Sequence, residues 1–254
     1  DDGGAVHCGG AESQIFTSLT QISGNSAGRD GGAFSSSRLV AVRSPLLSNT
    51  AGRDGGAAVC EGGEIFISTL TQNAATGRGG ALFLNGAAEL IHCTVVANAA
   101  GTSGGGVFIA GGSGGLLRNS ILWNNRAFGG TAQDLLIASG GIQFEGGNIA
   151  GALASLEGLF TGPAPMTADP LLAPPGDYGG NTTALIPLPG SPARDAGLLL
   201  GTAHYDQRLM RNTGPPDIGA AESGHGAENF NTWIWETLPA GPPADRRDAN
   251  VDFD

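Results

Sequence analysis

The sequence contains no lysine; all twelve basic residues are arginine. Against 23 acidic residues they leave a net charge of −11, which argues against nucleic acid or an anionic membrane as partner, since both select basic patches. Charged residues are only 14% and aromatics 6% of the chain, a poor basis for a helical bundle. No run approaches the roughly 20 apolar residues of a membrane span. Three cysteines, an odd number, do not make a disulfide framework. No HExxH, Walker loop, GxSxG or CxxC spacing occurs, and His204 and His225 stand far from any other histidine in sequence. A lone acceptor pattern for glycosylation, Asn181-Thr182-Thr183, matters only on a eukaryotic secretory route.

What the chain has is glycine, 45 of 254 residues against an ordinary share of roughly 7%. The glycines do not recur at every third position, so a collagen helix is excluded. They recur instead in phase with other landmarks. The stretch 25–33, NSAGRDGGA, returns at 49–57 as NTAGRDGGA, 24 residues later. Gly-Gly pairs at 3–4, 31–32, 55–56, 79–80 and 105–106 keep that interval approximately. So do Asn25, Asn49, Asn73, Asn98 and Asn124, each preceded at minus three by an aliphatic: Ile22, Leu46, Leu70, Val95 and Ile121.

A leucine-rich repeat has a similar period, but its closely spaced leucines and its helix are missing. Short β-rich runs lie between the landmarks, such as 64–68 (EIFIS) and 90–96 (LIHCTVV), bounded by Gly, Asn or Ser. Two or three short strands per lap with tight corners describe an all-β, right-handed, single-stranded parallel β-helix over residues 1–150. Equivalent residues of successive laps then lie about 4.8 Å apart. Asparagines at that spacing form a hydrogen-bonded ladder, and Asn also tolerates a left-handed corner. The glycine pairs supply positive φ and close backbone approach, and the aliphatic file points into the core.

The same arithmetic stacks charges. Asp2, Asp30 and Asp54 each precede a Gly-Gly and form one file; Arg29, Arg53 and Arg78 form its neighbour. Stacked carboxylates repel, and three readings are open: an alternating ion-pair network, a Ca²⁺ site, or a catalytic acid pair. If the chain is an enzyme, Asp30, Asp54, Arg53 and Arg78 are the constellation that carries it. Cys8 and Cys60 fall at equivalent places two laps apart, about 9.6 Å, beyond the reach of a disulfide. They and Cys93 are expected to be small buried thiols. His7 and His92 lie in repeat strands as packing residues.

After Asn124 the phase loosens into one or two further laps. Thirteen of the fourteen prolines follow residue 160, and proline lacks the donor a central strand needs. Residues 151–224 therefore read as an irregular cap wrapping the end of the coil, as a solenoid requires. This segment carries distinctive words: 169–172 (DPLL), 177–185 (DYGGNTTAL), 189–197 (PGSPARDAG), 206–208 (DQR) and 216–222 (PDIGAAE). In order and spacing they resemble the choice-of-anchor Q proteins of bacteria. Tyr178, Arg194, Leu209 and Ala221 depart from that family's usual residues. The upstream N-x-A-x-x-GGA units are similar to polymorphic outer-membrane-protein repeats. The two resemblances imply a secreted or cell-surface β-helical protein, with no catalytic motif to carry over. Within the cap, Asp195 and Asp217 are placed to accept turn N–H groups, and Asp206 to pair with Arg208.

Residues 225–254 read as a linker and tail. Trp233 and Trp235 are expected to pack on the flank, and Asp248, Asn250, Asp252 and Asp254 alternate as in the first half of a calcium loop. Both ends read as cut from a longer chain. Two functions follow as expectations. One is a non-catalytic surface or adhesin-like module presenting a face to a polysaccharide or cell-surface ligand. The other is a polysaccharide lyase or glycoside hydrolase on the same scaffold, by fold analogy.

Overall fold

The computed structural model describes residues 1–223 apart from 113, 200–204, 212 and 213. Asp248, Asn250, Asp252 and Asp254, with His204, His225, Trp233 and Trp235, lie outside the described residues. The fold is a parallel β-solenoid of about six laps. The laps build three parallel sheets, of twelve, six and four strands, and only the first four laps contribute to the third. In the second lap these strands are Phe34–Val42, Leu46–Leu47 and Thr50–Ala51; in the third they are Ala58–Phe66, Thr69–Thr71 and Ala74–Ala75. Matching residues pair lap to lap, as in Ile22 with Leu46 and Leu46 with Leu70.

Alternation within each strand decides what is buried. Leu39, Ile65, Leu90 and Leu117 from the wide sheet meet Leu46, Leu70, Val95 and Leu122 from the six-stranded sheet in one continuous core. Cys60 and Cys93 belong to that core, and all three cysteines are free. Burial pushes the Cys60 and Cys93 thiols up to about 12.

The corners explain the repeat. Where the wide sheet turns into the six-stranded one, Arg43, Ile67, His92 and Asn119 have φ between 48° and 51°. At the next corner Ser48, Gln72, Ala97 and Asn124 have φ between 53° and 59°. At the third, Gly31, Gly55, Gly79 and Gly104 take φ near 65°, where no side chain is strained. The second glycine of each pair answers a different need: a Cβ on Gly56 would stand 2.0 Å from the Gly80 carbonyl oxygen.

The ladder asparagine is the residue after the second corner, not the corner residue itself. Its side chain accepts the backbone N–H of its counterpart one lap earlier. Asn49 N donates to Asn73 Oδ1 at 3.0 Å, and Asn49 Nδ2 donates to the same oxygen at 3.0 Å. Asn25, Asn73 and Asn98 repeat the pattern with the next member of the file. The fifth member is Asn125. Asn124, expected there from the spacing, is the left-handed corner residue, and its Oδ1 accepts from Arg126 at the surface. This lap is 27 residues long rather than 24 or 25, which shifts the phase by one. The same shift puts Leu122, not Ile121, in the inward file, and makes Gly104-Gly105, not Gly105-Gly106, the corner pair. The ladder ends on Asp134, whose Oδ1 accepts both Asn125 N and Asn125 Nδ2 at 2.8 Å.

A second ladder follows the first corner. Ser44 N donates to Ser68 Oγ, Cys93 N to Ser120 Oγ, and Ser120 N to Asn148 Oδ1, each within 3.0 Å. No repeated letter marks this file in the sequence, because the position accepts Ser, Cys or Asn.

The coil also runs farther than residue 150. Leu153–Ser155 and Leu159–Thr161 add a further partial lap to the wide sheet, with Phe160 stacked on Phe144. The remaining described residues, 167–199, 205–211 and 214–223, are not seated on the end of the coil. They form a strap along the outer face of the six-stranded sheet: Thr183 N bonds Gln21 in the first lap, Ala220 N bonds Thr94 in the fourth, and Gly219 N bonds the Asn119 carbonyl in the fifth. Val96, Ile121 and Ile149 face outward yet are buried, because Leu185, Ala193 and Ile218 of the strap cover them. Proline suits this path, since a strap needs no ladder donors.

Asn125→Ala is expected to cost about 2–4 kcal/mol, by leaving several buried backbone and side-chain groups without partners. Asn124→Gly is expected to stay within about 0.5 kcal/mol of the parent, since glycine relieves the positive φ. Urea denaturation of the two variants checks the one-residue assignment; equal losses would contradict it.

Candidate functional site

Three places gather polar chemistry: the carboxylate file, the buried acids under the strap, and a cleft on the wide sheet.

The carboxylate file stands at the third corner. Asp2, Asp30 and Asp54 stack as the spacing implies, each a residue before a corner glycine. Each is paired with an arginine one lap on: Arg29 with Asp2, Arg53 with Asp30, Arg78 with Asp54. Arg78 does not continue the arginine file. Gly77 takes that place, where a side chain would meet Asp54 Oδ1 at 2.4 Å, and Arg78 occupies the next position of the aspartate file. From there it donates to Asp54 through its backbone N at 2.7 Å and through Nε and Nη2 at 3.3 and 2.7 Å. Its guanidinium lies 4.6 Å over Phe83 and 5.2 Å over Phe108, two rings stacked 5.3 Å apart. Asp30 accepts from Arg53 Nε at 2.7 Å, from Arg53 Nη2, and from Asp54 N. Burial alone would raise the Asp30 carboxyl, but these hydrogen bonds and the Arg53 and Arg29 charges outweigh it and hold it below the usual range. The four residues named as a catalytic constellation are thus brought together, as a chain of ion pairs whose carboxylate oxygens are already engaged.

The strap holds the second cluster. Asp206 and Arg208 form a buried pair, with Arg208 Nε and Nη2 on Asp206 Oδ2 at 2.8 and 2.5 Å. The remaining Arg208 donors reach the carbonyls of Tyr178 and Glu222. Asp217 accepts Asp195 N at 2.7 Å and Ser223 N, and donates its own N–H to Glu222 Oε2 at 3.0 Å. Burial first, and then the Asp217 charge, push the Glu222 carboxyl up to about 8. Burial raises Asp217 and Asp134 as well. Asp206, Asp217 and Glu222 fasten the strap to itself, whereas Asp134 ends the asparagine ladder in the coil; sequence alone located Asp206, Arg208 and Asp217, and missed Glu222, whose burial depends on how the strap folds back.

The third feature was not legible in the sequence. The wide sheet bends midway along Phe34–Val42 and Ala58–Phe66, and the bend is an open cleft of about 420 Å³. Ser13, Gln14, Arg38, Glu61, Glu64 and Glu89 line it, from the first four laps. Arg38 Nη2 donates to Glu64 Oε1 across one side. The residues fall outside the N-x-A-x-x-GGA unit, so no repeat letter marks them.

Among the described residues no group of three or more His, Cys, Asp or Glu side chains is placed to hold a metal ion, and no helix is long and apolar enough to cross a membrane. No family model, curated protein or solved structure matches this chain. Its class is therefore set by its fold: a parallel β-solenoid with a lateral strap.

Glu222 makes a pH-dependent contribution. Its folded value lies above the ordinary 4.5, so the stability it gives is full below about 4.5 and is lost as pH rises through about 8. The thermal midpoint is expected to fall across that window, and Glu222→Gln to flatten the slope in part, with Asp217 and Asp134 supplying the rest. A Glu222→Gln profile parallel to the parent's would contradict the assignment.

Proposed function

We propose that this chain is a non-catalytic structural module of a secreted or cell-surface protein, a stiff coil that presents a lateral face to glycans or to another surface. The observation that carries this reading is the state of the charged file. Asp30 and Asp54, the acids best placed for proton transfer, are each held by an arginine and a backbone N–H of the next lap. A general acid or base needs an oxygen free to meet the substrate, and here the oxygens serve the scaffold. The resemblance of the strap's words to choice-of-anchor Q proteins supports the surface placement, and the adhesin-like role is proposed from the same resemblance. A Ca²⁺ ion at Asp248, Asn250, Asp252 and Asp254 belongs to this proposal as a feature of the tail.

Incubation with a broad polysaccharide panel, including polygalacturonate, is expected to give no new reducing ends and no unsaturated products. Cleavage that disappears in Asp54→Asn would overturn the reading and make the ion-pair file a catalytic centre.

A further inference from the structure

We propose that the cleft at the bend of the wide sheet is a binding subsite for a non-anionic oligosaccharide, neutral or amino-bearing, lying along the coil axis. The inference rests on the glycan-presenting reading above and gives it a place and a ligand class.

The cleft exists because two successive outward positions carry almost no side chain. The file Gln14, Arg38, Gly62, Ala87 crosses four laps, and its third and fourth members form the floor. Gly62 is not demanded by the backbone. Its φ is not positive, and a Cβ there would find its nearest neighbour, the Ala87 carbonyl oxygen, at 3.8 Å. A larger residue fits the fold at this point, and its absence leaves the space open. At about 420 Å³ the space falls within the range of small-molecule sites.

The walls suit hydroxyl groups. Arg38 and Glu64 form a half-exposed ion pair, a fork of donors beside acceptors, which matches vicinal hydroxyls of a sugar ring. Gln14 adds an amide donor and acceptor on the first-lap side, beside Ser13, whose hydroxyl is engaged by Cys8 O and Ser37 N. Phe16 lies on the same face, in the file Phe16, Val40, Glu64, Glu89, and is 65% exposed. An aromatic ring so exposed on a sheet face offers the apolar side of a pyranose a stacking surface. Phe16 and Glu64 are two rungs apart, about 9.6 Å, a span longer than one sugar ring, so the site takes about two linked units.

Charge selects among glycans. Glu12, Glu61, Glu64 and Glu89 face a single arginine, so a uronate chain is repelled while neutral or protonated amino sugars are admitted.

The test is calorimetric titration of the full chain with three probes: a β-1,4-linked glucose hexamer, a glucosamine hexamer and a galacturonate hexamer. Binding of one or both of the first two, with none of the third, is the expected result. Gly62→Leu, which fills the cleft from its floor, and Phe16→Ala are each expected to weaken that binding about tenfold or more. Matching thermal midpoints show that the Gly62→Leu fold is kept. Affinity weaker than about 1 mM for both hexamers, preference for galacturonate, or binding unchanged in Gly62→Leu overturns the subsite. Those outcomes leave the structural-module reading standing, since only cleavage in the panel assay removes that.

Discussion

The structure depends on side-chain oxygens that replace lost ladder partners at the corners. Within a strand, each backbone N–H finds a carbonyl in the next lap. At a corner the chain changes direction through a left-handed residue, and the following N–H points to where no carbonyl stands. Asn73 Oδ1 meets Asn49 N, and Ser68 Oγ meets Ser44 N, in those places. Buried donors without partners cost about 1–3 kcal/mol each, so two ladders of such bonds decide whether the laps can stack at all. The strain of positive φ at Ile67, Gln72, Ala97 and similar residues is carried by the same arrangement.

Charge is organised by the same lap-to-lap logic. Stacked aspartates would repel if left alone, and the arginine of the following lap removes the conflict at each level. At Asp54 the repeat changes register: Gly77 opens room, and Arg78 enters from the aspartate file to lie over two stacked phenylalanines. Side chains that look catalytic in a linear reading are thereby used to hold adjacent laps together. The strap does a related task on the flank, covering Val96, Ile121 and Ile149 and closing on its own buried acids.

Much of the fold was legible because its determinants recur. Asn25, Asn49, Asn73 and Asn98 announce the period, and the register follows from it. Legibility failed where the period changed. The lap from Asn98 to Asn125 is two or three residues longer, and in the Asn124-Asn125 pair the letter alone does not say which residue turns the corner. The serine ladder was hidden by its tolerance for Ser, Cys and Asn. The strap's lateral course was hidden because it depends on which sheet face is left apolar. The cleft was illegible for a further reason: Gly62 is an absence of side chain, visible only once its neighbours are in place.

Amide hydrogen exchange at Asn49, Asn73 and Asn98 tests the central claim most directly. Each N–H is buried at a corner and bound only to the side chain of the next asparagine. They should exchange only through global unfolding, as slowly as core-strand amides such as that of Leu90. Exchange at the rate of exposed turns would show that the asparagine files do not hold the laps together.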